Sequence, residues 1–105
     1  MKTILKAGFA VLAFALVFST WALADGGADY KAKCAMCHGA DGAGQTGMGK
    51  AMKLRDLGSA DVQKQSDADL NGIITNGKNK MPAFTGKLTG DQITDVVKYL
   101  RTLKK

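Results

Sequence analysis

The chain has 105 residues, 15 of them lysine or arginine against nine acidic ones, and a formal net charge of +6. That length is enough for one small domain and no more. With two cysteines and one histidine a four-ligand zinc centre is excluded, and a basic chain without interleaved aromatic residues makes no case for a nucleic-acid partner.

Residues 1–24 read as an export signal. Lys2 and Lys6 form a short basic start, residues 7–18 (AGFAVLAFALVF) are an unbroken apolar run, and Ala22-Leu23-Ala24 has the small-x-small pattern that signal peptidases cut after. An uncleaved membrane anchor is the alternative, because residues 7–24 carry no charge. A spanning helix, however, needs about 20 apolar residues, and this run ends on a cleavage signature. The expectation is cleavage after Ala24 and a domain of residues 25–105 in the periplasm. Trp21 leaves with the leader, and all nine acids of the remainder are aspartate. So small a domain usually needs a staple or a bound group to complete its core.

The remainder reads as all-α, with three main helices and two long loops. The first helix is expected over residues 27–37, with Tyr30, Cys34 and Cys37 on one face. Residues 39–65 follow as a long connection that opens on a glycine-rich stretch (GADGAGQTGMG) and holds a short helical turn after Ser59. The second helix is expected over residues 67–76, with Ser66 as N-cap, Leu70, Ile73 and Ile74 as its apolar face, and Gly77 as a left-handed C-cap. Residues 76–88 form the second loop and contain the single proline, Pro82. The third helix starts at Thr89, where Thr89-Gly90-Asp91-Gln92 reads as a capping box. Ile93, Val96, Val97 and Leu100 then fall at i, i+3, i+4 and i+7. Asp91 and Asp95 come early and Lys98, Arg101, Lys104 and Lys105 late, which complements the helix dipole. Loops this long argue against a plain bundle and fit a chain wrapped around something that is not protein.

Cys34-Ala35-Met36-Cys37-His38 is C-x-x-C-H, the attachment signature for c-type haem. On a helix, positions i, i+3 and i+4 share a face, so two sulfurs and an imidazole can address one flat ligand. The thiols add to the haem vinyl groups and the histidine reaches the iron from one side. A thioredoxin-like redox pair would need a preceding strand. A structural disulfide would make the adjacent histidine a coincidence. For the second axial ligand there are four methionines. Met36 lies about 200° round the helix from Cys34 and points away. Met48 and Met52, in or just after the glycine-rich stretch, read first as core filler. Met81 is favoured, because Pro82 stiffens the loop just past its sulfur, and Met52 stands second. Two further matches in the glycine-rich stretch are accidents of composition. Residues 42–47 fit G-x-G-x-x-G without a preceding strand, and residues 44–50 fit most of a P-loop but are followed by Ala51 where Ser or Thr is needed.

Three stretches in order, CAMCHGADGAG, NGKNKMPAF and LTGDQITDVVKYLRTL, give the domain a close resemblance to the class I c-type cytochromes, above all the small soluble bacterial and photosynthetic kind. The resemblance implies a small helical cytochrome c fold wrapped around one covalent haem c, iron ligated by His38 and Met81, and electron transfer in place of catalysis. It also implies that Gly26 or Gly27, with Tyr30, packs against the Tyr99-Leu100 region. Many relatives of this kind have a first-loop proline whose carbonyl accepts the histidine hydrogen bond. This chain lacks it, so a backbone carbonyl between Gly44 and Met52 is expected there, and Arg55 or a nearby lysine is expected at the haem propionates.

The function expected is a periplasmic one-electron carrier, a monomer that moves electrons between redox complexes. Lys50, Lys53, Lys78, Lys80 and Lys87 flank the loops expected over the haem and suggest transient docking to acidic partner proteins. No small-molecule substrate is expected, since His/Met ligation leaves the iron no open position. A haem enzyme or gas sensor in which Met81 dissociates, and a membrane-tethered cytochrome subunit of a respiratory complex, are the alternatives.

Overall fold

The computed structural model describes residues 25–105. The expected leader, its cut after Ala24 and Trp21 lie outside the described residues. Helix α1 (Gly26–Lys33) begins where the Asp25 carboxylate accepts from the amides of Gly27 at 3.0 Å and Ala28 at 3.2 Å, which satisfies donors the helix leaves free. The single helix expected over residues 27–37 is two pieces. The backbone leaves helical geometry at Cys34 (φ −114°, ψ −33°) and resumes as α2 (Ala35–His38). Across the bend the Cys34 amide still donates to the Tyr30 carbonyl and the Cys34 carbonyl accepts from His38 and Cys37, but the amides of Ala35 and Met36 no longer donate to carbonyls four residues back.

The connection after His38 holds two helical segments. The short turn expected after Ser59 is α4 (Ala60–Gln63). The other, α3 (Gly47–Met52), begins at Thr46, whose hydroxyl accepts from the Gly49 amide at 2.8 Å, and ends at Lys53 in the left-handed region. Helix α5 (Asp67–Asn76) has the expected bounds, with Ser66 Oγ accepting from Asp69. Gly77 ends it with positive φ but an extended ψ of 168°, a region open essentially to glycine alone. It is therefore not the left-handed cap expected. Helix α6 (Gly90–Arg101) has the complete capping box: the Thr89 hydroxyl accepts from the Gln92 amide, and the Gln92 side chain accepts from the Thr89 amide.

Helix α6 is the spine of the core. Ile93, Val96, Val97 and Leu100 are all buried, together with Tyr30 of α1, Leu70 and Ile74 of α5, Val62, Phe84 and Leu88. Each such aliphatic side chain contributes about 1.5–3 kcal/mol when fully removed from water. Helix α1 crosses α6 so closely at Gly26 that a side chain there would collide with the Asp95 carbonyl. The Tyr30 and Tyr99 rings meet at 5.2 Å, tilted by 38°, and Gly27 lies against the Tyr99 ring. At the far end of α6, Arg101 donates to Asp67 Oδ1 and to the carbonyls of Gln63 and Gln65, while Gln63 Nε2 donates to the carbonyls of Leu57 and Leu100. This set of contacts joins α6 to α4 and the start of α5. Among the described residues there is no strand, only isolated bridges at Lys78–Met81 and Thr85–Leu88. No described helix is long and apolar enough to cross a membrane.

Candidate functional site

A cavity of about 390 Å³ opens between the helices, a size within the usual range of ligand sites. Leu57, Val62, Leu70, Ile73, Ile74, Val96 and Leu100 give it an apolar lining, with Tyr30 beside them. Cys34 and His38 line it from the bend between α1 and α2, and residues 78–81 from the loop after α5. A third part of the lining comes from residues 52–55, just beyond α3. The structure thus brings Cys34, His38 and Met81 to one cavity.

The C-x-x-C-H turn is held by its neighbours on three sides. The Tyr30 hydroxyl donates to the Gly39 carbonyl at 2.6 Å, Thr46 Oγ1 donates to the Cys37 carbonyl at 2.6 Å, and the Gly44 amide donates to the His38 carbonyl at 2.8 Å. Helix α3 presses on the turn at Gly49, where a Cβ would stand 2.7 Å from the Cys37 carbonyl oxygen. Only glycine permits that approach.

Burial lowers the pKa of His38, so its imidazole is neutral at pH 7 with a lone pair free for a metal. Its Nδ1 is buried and meets no hydrogen-bond partner among the described residues. The acceptor expected between Gly44 and Met52 is therefore not formed. Winding of α3 accounts for much of this, since the carbonyls of Thr46, Gly49 and Lys50 already accept from Lys50, Leu54 and Lys53. Burial also pushes the Cys34 thiol up to about 11, with the Asp29 carboxylate and then Cys37 adding to it. Both cysteines are free, against the structural-disulfide reading. Cys37 is half-buried and stands outside the cavity lining, its Sγ 3.3 Å from Met48 Sδ.

The methionines divide clearly. Met36 and Met48 are exposed and stand outside the lining of this cavity. Met52 and Met81 both line the cavity. Met81 is fixed by paired backbone hydrogen bonds with Lys78 at 3.0 and 3.2 Å, across a turn in which Asn79 takes positive φ. Gly77 allows that turn to fold back, because a Cβ there would lie 2.7 Å from the Met81 carbonyl oxygen. Of the five lysines singled out, Lys53, Lys78 and Lys80 reach the lining, as does Arg55. Lys50 and Lys87 do not, and Lys87 Nζ sits 5.6 Å over the Phe84 ring. Gln65 was not legible as a lining residue, since its place depends on the bend between α4 and α5. Tyr30 carried a signal, its i, i+4 spacing to Cys34.

Two free thiols, a neutral imidazole with an orphaned nitrogen and an apolar cavity reached by methionine sulfur suit a flat, largely apolar iron ligand such as haem. Among the described residues no three His, Cys, Asp or Glu side chains gather to bind a bare metal ion.

Comparison with known proteins agrees with this chemistry. Residues 22–100 match the family described as cytochrome c oxidase, cbb3-type, subunit III. Cytochrome c6 of a Nostoc species is 41% identical over 100 residues, covering 89% of this chain and 83% of that one. Cytochrome c6 of Leptolyngbya boryana is 42% identical over 77 residues, covering 73% and 87%. Among solved structures, the c-type cytochrome KustC0563 superposes with a TM-score of 0.72 at 34% identity, over 77% of this chain and 99% of that one.

Proposed function

The chain belongs to the c-type cytochrome family, and on that premise we propose that Cys34 and Cys37 hold its haem c by thioether bonds, with His38 and Met81 as the iron ligands. It is an electron carrier and not an enzyme, with one covalently bound haem c. The observation that carries the assignment is that Cys34, His38 and Met81 line one apolar cavity.

When bound, haem supplies an iron that changes by one electron, and a methionine ligand raises its potential. The chain's own residues do the rest. Cys34 and Cys37 would hold the group by thioether bonds, each thiol adding across a vinyl group with its proton going to the neighbouring carbon, so that no atom leaves. Cys37, whose Sγ lies 3.3 Å from Met48 Sδ outside the cavity lining, would have to turn away from Met48 to take part. His38 is kept neutral by burial and is ready to ligate without losing a proton. The aliphatic walls exclude water, which disfavours the extra positive charge of the oxidised state. Two features favour Met81 over Met52 as the second ligand. Met81 sits on a turn fixed at both ends by hydrogen bonds, and it comes from the α5 side of the fold. Met52 ends α3, the helix already packed against the His38 turn through Gly49.

Arg55 and Lys53 are well sited to pair with haem propionates. Lys53, Lys78 and Lys80 would ring the opening with positive charge, which suits transient, salt-sensitive docking to acidic redox partners by a monomer. The leader pattern in residues 1–24 supports export to the periplasm with cleavage after Ala24.

A haem-stained denaturing gel of the full chain, made alongside a cytochrome c maturation system, tests attachment. Wild type should stain at the size of the processed chain, and the double variant Cys34→Ala/Cys37→Ala should not stain. A stained double variant would contradict the assignment.

A further inference from the structure

Helix α3 has little of its own to hold it. Two of its six residues, Gly47 and Gly49, are glycine, and a helix of that length and composition does not form unaided. One side chain fastens it to the rest of the fold. Thr46 Oγ1 accepts from the Gly49 amide at 2.8 Å and donates to the Cys37 carbonyl at 2.6 Å. A single hydroxyl therefore caps α3 and links it to the peptide group between Cys37 and His38.

That link decides what covers the C-x-x-C-H turn. Gly49 is buried, and a side chain there would collide with the backbone oxygens of Cys37 and Gly44. Met48 Sδ lies 3.3 Å from Cys37 Sγ, and Met52 and Lys53, at the other end of the helix, line the cavity. Helix α3 thus runs from the outer side of the turn to the cavity wall. Without the Thr46 hydroxyl, the Gly49 amide and the Cys37 carbonyl both lose their partner. The segment then joins the least stable parts of the fold, those that open locally to water.

Resting on the proposed haem site, we infer that Thr46 is a positioning residue for the haem: by latching α3 over the Cys37–His38 turn, it keeps water from that side of the group and holds the reduction potential up. Oxidised iron carries one more positive charge than reduced iron, so water admitted at the turn stabilises the oxidised form. Opening of α3 therefore lowers the potential.

The test is the midpoint potential of the full, matured protein by spectroelectrochemical titration, with wild type, Thr46→Val, Thr46→Ser and Thr89→Val compared. Valine keeps the shape of threonine without its hydroxyl. Thr89→Val removes the corresponding capping hydroxyl from α6, whose hydrogen bonds stay within that helix end. Thr46→Val should lower the reduced-to-oxidised ratio at a fixed applied potential by about threefold, a shift of about 30 mV at about 59 mV per tenfold for one electron. Thr46→Ser, which keeps the hydroxyl, should stay near wild type, and so should Thr89→Val despite its lower stability. In the reduced protein the amides of Lys50 and Leu54, which donate to Thr46 and Gly49, should exchange with deuterium faster in Thr46→Val.

If Thr46→Val keeps the wild-type potential, or if Thr46→Ser or Thr89→Val falls as far, with haem attached and the iron–sulfur band intact, the inference is wrong and the site reading stands. A lowered potential with unchanged exchange in α3 would overturn it too. If Thr46→Val does not mature, Met48→Ala decides, because it uncovers the Cys37 sulfur and leaves the cap in place: a lowered potential supports the inference and a wild-type potential overturns it. Absence of covalent haem in wild type would bring down the site reading, and this inference with it.

Discussion

The Tyr30 hydroxyl donates to the Gly39 carbonyl across 2.6 Å, tying the buried end of α1 to the residue directly after His38. Tyr30→Phe keeps the ring packed on Tyr99 but leaves that carbonyl without its partner. The expected cost is about 1–2 kcal/mol of unfolding free energy, read as a lower urea midpoint at unchanged slope.

The same phenol gives a pH dependence. Burial raises the Tyr30 pKa well above the ordinary phenol value, with the neighbouring Cys34, Tyr99 and Asp41 acting in the same direction. The raised value means the unfolded chain loses its proton first. Stability from this group is complete below about pH 10, the unfolded value, and declines as pH rises towards the folded value. Wild type should therefore lose more stability than Tyr30→Phe between about pH 9.5 and 11. Equal slopes in urea titrations over that range would remove Tyr30 from the account.

Gly49 and Gly47 lie two residues apart in α3 and should respond in opposite ways to alanine. At Gly49 a Cβ would stand 2.7 Å from the Cys37 carbonyl oxygen and press on the Gly44 carbonyl as well, and both obstacles are backbone. Gly49→Ala should cost about 1–3 kcal/mol and reduce haem attachment by displacing the cysteine turn. At Gly47 a Cβ meets nothing within 4 Å, so Gly47→Ala should be neutral or stabilise by up to about 1 kcal/mol. Thermal unfolding of both variants checks the pair.

How much of this was legible in the sequence depends on how local the cause was. Helix α6 was readable to its first turn, because the Thr89–Gln92 box and the stripe from Ile93 to Leu100 are both contained in one segment. Helix α5 was readable for the same reason, from Ser66 to Gly77. Helix α3 was not, since its glycines hide a helical pattern whose local signal is the Thr46 cap alone and whose stability comes from packing on Cys37. The break at Cys34 was likewise invisible, because no proline or glycine marks it in residues 31–37. In the site, Cys34, Cys37, His38 and Met81 could be named from spacing and loop chemistry. That Met52 also reaches the cavity, and that Cys37 stands just outside it, depends on contacts between distant segments.

Arg101 makes a further separable prediction. It donates to Asp67 Oδ1 from Nε at 3.0 Å and Nη2 at 2.7 Å, and to the Gln63 and Gln65 carbonyls at 2.9 and 2.7 Å. Asp67 is largely exposed, so the ion pair itself contributes little and the carbonyl bonds matter more. Arg101→Lys keeps the charge but not the fork that serves these acceptors together. A loss of about 1–2 kcal/mol is expected for it, close to that of Arg101→Ala. A Lys variant as stable as wild type would show that charge alone suffices.

The central claim is that Met81, and not Met52, closes the iron opposite His38. The most direct measurement is the long-wavelength iron–sulfur charge-transfer band of the oxidised, matured protein in Met81→Ala and Met52→Ala, with carbon monoxide added to the reduced forms. Met81→Ala should keep its covalent haem, lose the band and bind carbon monoxide, while Met52→Ala retains the band and resists the gas. Loss of the band in Met52→Ala with its retention in Met81→Ala would contradict the assignment.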